Sequence, residues 1–174
     1  VSGGSRVLVR GLVPRGAARV AAVACLSVAL ALTILLTAVL GVGNLVLVFV
    51  AAALLIGWFY SAPPLKLDSR GLGEVGIAIS ACLLVPYTAY YLQSPALTIT
   101  LLRVCIPLGL LTFALTLATE LPDIAADRAT GKMTLVARLG LSRALKLQVA
   151  FFIAGWVWWL TVAVGSGPPW GWVA

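Results

Sequence analysis

The chain has 174 residues, of which 62% are hydrophobic and 10% charged, and its mean hydropathy is +1.12. A soluble domain carries about a quarter of its residues as charges, so this composition excludes one; apolar runs of about 20 residues, the length that crosses a bilayer, indicate an all-α, multi-span transmembrane bundle in contact with lipid. The net charge of +7 sits in the short segments between those runs, where the positive-inside rule places basic residues, and no nucleic-acid partner is expected. Histidine is absent, which removes His-ligated haem, imidazole acid–base chemistry and most zinc sites. Cys25, Cys82 and Cys105 each lie inside an apolar run without ligand spacing, and are expected as small core residues.

Residues 1–19 hold Arg6, Arg10, Arg15 and Arg19 among glycines and Pro14, a basic membrane-surface segment. A first span is expected at about 20–40 and a second at about 45–60, joined by the uncharged turn Gly41-Val-Gly-Asn44 as an antiparallel hairpin. Pro63 and Pro64 then stop the helix, and Lys66, Asp68, Arg70 and Glu74 put the loop at a water-facing surface. A third span covers about 75–92 and ends in Tyr87, Tyr90 and Tyr91, which suit an interfacial aromatic belt. A fourth covers about 97–119, with a kink expected at Pro107. Thr134 can cap a short helix that Gly140 ends, and Ser142 can cap a fifth span at about 144–164 containing Trp156, Trp158 and Trp159. Trp170 and Trp172 follow as a far-side interface.

With five spans, the segments 1–19, 61–74 and 120–146 fall on one side; they hold 11 of the 12 Lys and Arg residues, all but Arg103, and all five acids. The basic excess makes that side cytoplasmic and the protein a multi-pass one, as in a bacterial cell membrane. The chain opens at Val1-Ser-Gly-Gly and stops at Trp172-Val-Ala174. Both ends read as cuts, so residues 1–174 are expected to be a single domain forming about five spans of a larger bundle.

The chemistry concentrates in Glu120-Leu-Pro-Asp-Ile-Ala-Ala-Asp127-Arg-Ala-Thr-Gly-Lys132, which contains three of the five acids. On a helix, Glu120, Asp123 and Asp127 fall within about 60° of arc. Carboxylates one turn apart can share a hard divalent cation, and magnesium suits them because it takes few carboxylates and leaves positions for phosphate oxygens. A restart of the helix at Pro122 would push Leu121 out of the α region and Glu120 off the shared face, so Asp123 and Asp127 are the firmer pair. The bland alternative is a solvated helix end whose acids pair with Arg128 and Lys132. Lys66 and Arg70 reach the same surface, and cations facing a metal–carboxylate cluster fit a diphosphate between them. Tyr60 is either an interfacial anchor or a phosphate donor.

At these two loops the sequence resembles the UbiA family of intramembrane aromatic prenyltransferases. Tyr60-Ser-Ala-Pro-Pro-Leu-Lys66 with Arg70-Gly-Leu-Gly-Glu74 resembles the family's tyrosine–lysine loop, and Asp123-Ile-Ala-Ala-Asp127-Arg through Leu139-Gly140 its second aspartate-rich motif. Gly3-Gly-Ser-Arg-Val-Leu-Val-Arg-Gly-Leu-Val resembles the segment after the first aspartate motif in naphthoate-type, menaquinone-linked members. The resemblance implies a helical bundle around a lipid-open cavity and magnesium-dependent transfer of a prenyl group from a prenyl diphosphate to an aromatic acceptor. It implies Asp123, Asp127 and Lys66 as catalytic residues, Asp123, Asp127 and Glu120 as metal ligands, and Tyr60, Lys66, Arg70, Arg128 and Lys132 as the diphosphate site. No acid precedes Asp68, so the first aspartate motif is missing and the 174-residue chain alone is expected to be inactive. The competing classes are a transporter or channel, in which acids would mark an ion path, and a non-catalytic membrane scaffold.

Overall fold

The computed structural model describes residues 10–165, all helices and connecting turns. Helix α1 (Arg15–Leu40) starts after the extended Pro14 and stops at Gly41, whose φ of 64° lets its N–H return to the Thr37 carbonyl at 3.1 Å. Helix α2 (Leu45–Ser61) packs against it as the second arm of the expected hairpin. Helix α3 (Gly73–Gln93) contains a π turn at Ser80–Leu84, and α4 (Ile99–Ala129) tightens into a 3-10 turn at Leu121–Asp123. The short α5 (Leu135–Leu139) and the long α6 (Leu141–Gly165) complete the described residues.

Four of these helices, α1, α3, α4 and α6, are long and apolar enough to cross a membrane. At 1.5 Å per residue, positions 99–119 of α4 already reach about 31 Å, the thickness of a hydrocarbon core, so Glu120 and the residues after it project beyond the apolar run. Helix α2 has 17 residues and covers about 25 Å, which leaves it the shortest of the five expected spans.

Thr134 caps α5 as its sequence position indicates: its Oγ1 accepts from the Ala137 N–H at 3.2 Å, and Gly140 ends the helix with φ 76°. Ser142 has no capping role, because α6 begins at Leu141 directly after that glycine. The core lies at the end of the bundle where α4, α5 and α6 meet. Phe113, Leu117, Val136 and Ala144 are buried together, and the Phe113 and Phe151 rings pack at 4.5 Å. In a membrane this association comes from close van der Waals fit, since lipid tails are as apolar as the side chains.

Two packing expectations change. Cys82 and Cys105 are buried, with the Cys82 thiol donating to Thr112 Oγ1 at 3.0 Å, but Cys25 is exposed on α1, a helix with no buried residue. The tyrosines divide as well. Tyr91 is buried against Gly43 and edge-on to Phe49, and Tyr87 donates its hydroxyl to the Thr98 carbonyl at 3.0 Å. Tyr90, like Tyr87, is only partly exposed, so none of the three is open to its surroundings as a belt residue would be. Trp170, Trp172, Arg6 and most of the glycine-rich opening lie outside the described residues.

Candidate active site

Two of the charge-bearing segments, 61–74 and 120–146, pack on each other, and Arg19 of the segment 1–19 lies beside the start of the 61–74 loop. Arg19 shares a cavity with Ser61, Ala62 and Pro63. The loop after α2 lies directly on the turn before α5: at Gly71, with φ 73°, a Cβ would stand 3.3 Å from the Leu135 backbone and from Arg138 Cδ. At Gly73 it would stand 3.0 Å from Asp68 Cα and 3.1 Å from the Tyr60 ring. Glycine at position 71 is therefore what allows the tyrosine–lysine loop to close against the turn before α5, and glycine at 73 lets the loop fold tightly on itself and on Tyr60.

Within that loop Lys66 is exposed and adopts the left-handed region, φ 46°, uncommon for a residue with a side chain. This turn carries the chain from a bond between Lys66 N–H and the Ala62 carbonyl, 3.0 Å, into the 3-10 helix Leu67–Arg70. The exposed Arg70 donates to the Pro64 carbonyl at 3.0 Å and so braces the loop that presents Lys66. Tyr60 is partly buried at the end of α2, within the fields of Glu120, Asp68 and Glu74.

On the other segment, the helix does not restart at Pro122. Leu121 stays helical at φ −53°, ψ −44°, and the chain tightens into a 3-10 turn at the proline, which has no N–H to give the Ala118 carbonyl. Residues i and i+3 eclipse in such a turn, so Glu120 remains on the side of Asp123; the conditional displacement of Glu120 does not occur. Asp123 and Asp127 are both partly exposed, one at the end of the 3-10 turn and one within Ile124–Ala129. The Asp127 carbonyl accepts from the Lys132 N–H at 2.8 Å, which folds Lys132 back over the motif. Arg128 donates its Nε to the Ala137 carbonyl at 2.8 Å, stapling the motif to α5.

The residue that sequence reasoning missed is Glu74. Its sequence position suggests a water-facing loop, yet it is 1% exposed, in the first turn of α3, and its Oε1 accepts from the Leu135 N–H at 2.9 Å. Its other oxygen, Oε2, and Oε2 of Glu120 are both buried and have no hydrogen-bond partner. The two carboxyl groups nonetheless stand close enough for Glu74 to act on Glu120. Burial, then the hydrogen bond and negative charge of Glu74, push the Glu120 carboxyl from 4.5 up to about 8; Lys132 opposes the rise and Asp127 adds to it. No local signal in Gly71-Leu-Gly-Glu74 marks this role, because the partner stands 61 residues away.

The raised value has a measurable consequence. A folded-state acid that titrates above its unfolded value takes up a proton on folding, so stability is greatest below about 4.5 and is lost as pH rises from there through about 8. Thermal melting of the full-length protein in detergent should show a midpoint that falls between pH 5.5 and 8.5. Glu120→Gln keeps a neutral donor toward Glu74 and should flatten that profile. Parallel profiles for the two proteins would refute the assignment of the proton to Glu120.

Among the described residues no group of three or more Asp, Glu, Cys or His side chains gathers as a metal site. The donors present, the partly exposed carboxylates of Asp123 and Asp127, are hard ligands of the kind magnesium accepts when phosphate oxygens and water complete its shell. They fit that ion as a partial set.

An apolar groove of about 370 Å³ between α3, α4 and α6 is lined by Val75, next to Glu74, and by Cys82, Cys105, Phe113 and Phe151 among others. The π turn of α3 forms part of its wall.

Two curated proteins are similar to this chain. Over 116 residues it is 25% identical to a 1,4-dihydroxy-2-naphthoate octaprenyltransferase of Bacillus subtilis, covering 66% of this chain and 37% of the relative. Over 107 residues it is 32% identical to a 2-carboxy-1,4-naphthoquinone phytyltransferase of Synechocystis, covering 60% of this chain and 35% of the relative. The matched region is thus little more than a third of either relative's length. No solved structure gives a significant match. The model of the UbiA prenyltransferase family matches residues 4–174, both of the loops just described included, and the chain belongs to that family.

Proposed function

We propose that the full-length protein transfers a prenyl group from a prenyl diphosphate to an aromatic acceptor of the naphthoate type, inside the membrane and with magnesium. The observation that carries this reading is the closure of the Lys66–Arg70 loop onto the first turn of α5, the helix that follows the Asp123–Asp127 motif, through Gly71 and Glu74. It supports a site in which cations of one loop and hard carboxylate oxygens of the other share a diphosphate. The similarity to two enzymes named for naphthoate-type acceptors supports the acceptor class.

In this reading Lys66 and Arg70 hold diphosphate oxygens from one side, with Tyr60 donating from the end of α2. Asp123 and Asp127 hold the ion, assisted by Glu120 when its proton is lost, and Lys132 and Arg128 add positive charge over the motif. Bound magnesium would supply neutralisation of the leaving diphosphate. The apolar groove takes the isoprenoid tail and keeps water away from the allylic cation that departure of the diphosphate leaves. The loops 61–74 and 120–146 lie on the cytoplasmic side, where the soluble diphosphate product is released. Residues 1–174 carry one aspartate pair, half of the family's metal site, and are inactive alone.

The test is transfer of a radiolabelled prenyl group to 1,4-dihydroxy-2-naphthoate by the purified full-length protein. Product should appear with magnesium and vanish with EDTA, and the 174-residue chain should give none. A full-length protein that forms no prenylated product with any aromatic acceptor, yet moves ions across vesicles, would replace this reading with that of a transporter.

A further inference from the structure

Glu74 lies among none of the metal-binding or diphosphate-binding side chains above, yet it is the most completely buried acid described, at 1% exposure. A buried carboxyl is costly where its oxygens lack partners. One of them accepts from the Leu135 N–H at 2.9 Å, an amide of the first turn of α5 that has no partner within its own helix. The other, Oε2, is buried without a hydrogen-bond partner, and the Glu74 carboxyl acts on that of Glu120. Glu74 thus touches both the last turn of α4 before the aspartates and the first turn of the helix after them, from a position four residues beyond Arg70.

We infer that Glu74 is a positioning residue that sets the register of the Lys66–Arg70 loop against the aspartate segment, and so fixes the width of the diphosphate site without contacting the substrate. This rests on the proposed function. The surrounding contacts are consistent with a single tether. Gly71 permits the approach but supplies no bond across it. Arg128 and Arg138 bond to carbonyls within the aspartate-bearing segment itself, at Ala137 and Met133. Among the hydrogen bonds described, Glu74 to Leu135 alone joins the loop–α3 unit to the 130–140 segment. The tether depends on an acceptor oxygen held at the length of a glutamyl side chain, not on net charge.

The experiment uses the full-length protein, with Glu74→Ala, Glu74→Asp and Glu74→Gln. Two quantities are read: amide hydrogen exchange of peptides covering 130–140, and the affinity for inorganic pyrophosphate with magnesium by calorimetry. Glu74→Ala, or Glu74→Asp if the alanine variant does not fold, should speed exchange at Leu135 and weaken pyrophosphate binding by about ten- to hundredfold, as loss of an outer-shell partner does. Glu74→Gln should restore both, because its Oε1 still accepts from Leu135 and its Nε2 can donate to Glu120. Unchanged exchange in the alanine and aspartate variants, or a glutamine variant as impaired as they are, overturns the inference. If wild-type protein binds no pyrophosphate while the exchange pattern follows the prediction, the tether stands as a structural bond. The diphosphate site, and with it the positioning role, then fails.

Discussion

Asp123→Asn in the full-length protein is expected to lower prenyl transfer about a thousandfold, the scale seen when a group that stabilises transition-state charge is removed, and to abolish magnesium-dependent binding of prenyl diphosphate. Asp127→Asn should do the same. Asparagine preserves shape and one acceptor oxygen but removes the negative charge that a hard cation needs. Both side chains are partly exposed and neither belongs to the buried cluster of Phe113, Leu117, Val136 and Ala144, so melting temperature should change far less than activity. The double variant is the sharper measurement. If the two carboxylates grip one ion, losing either already forfeits it, and the double loss should fall far short of the sum of the singles. Additive losses would mean separate ions or separate roles. Binding that survives both substitutions would remove the aspartate pair from the site altogether.

The expected spans match the observed helices to within a few residues at most ends because an apolar run and its punctuation are local properties. Gly41, Pro63 and Pro64, and Gly140 interrupt helices by their own backbone limits, and Thr134 caps α5 with its own side chain. The pair Asp123 and Asp127 was legible for the same reason, as a spacing on one segment. What stayed hidden depends on where distant segments meet. Glu74 reads as a loop charge until Leu135 arrives beside it. Glu120 reads as displaced by Pro122, whereas the chain tightens into a 3-10 turn and keeps the carboxyl against Glu74. Tyr91 reads as a membrane anchor and instead fills the space left by Gly43. In each case the residue type narrowed the possibilities, and the tertiary contact chose among them.

The same rule governs the second large effect, expected at the contact of α4 with α6. Pro107 has no N–H, so the Arg103 carbonyl loses its helical donor; Trp158 of α6 replaces it, donating Nε1 to that oxygen at 3.1 Å. Gly155 lies one turn earlier on α6, and a Cβ there would stand 2.8 Å from Leu111 Cγ and Cδ2 and 3.3 Å from the Pro107 carbonyl oxygen. Its bare backbone is what brings the indole within reach. Gly155→Leu should therefore push the helices apart and lose this bond together with the fit around it. Overpacking of this kind costs about 1–3 kcal/mol or more, and an unpaired carbonyl adds about 1–2 kcal/mol, so the melting midpoint of the full-length protein should fall by several degrees. Trp158→Phe removes only the donor and should show the smaller part of that loss. Gly155→Ala combined with Leu111→Ala tests the cause: the second change opens the space that the new methyl group needs, so the pair should melt above Gly155→Ala alone. If Gly155→Leu melts like wild type, α4 and α6 do not meet at Gly155, and the Arg103 carbonyl must find its donor elsewhere.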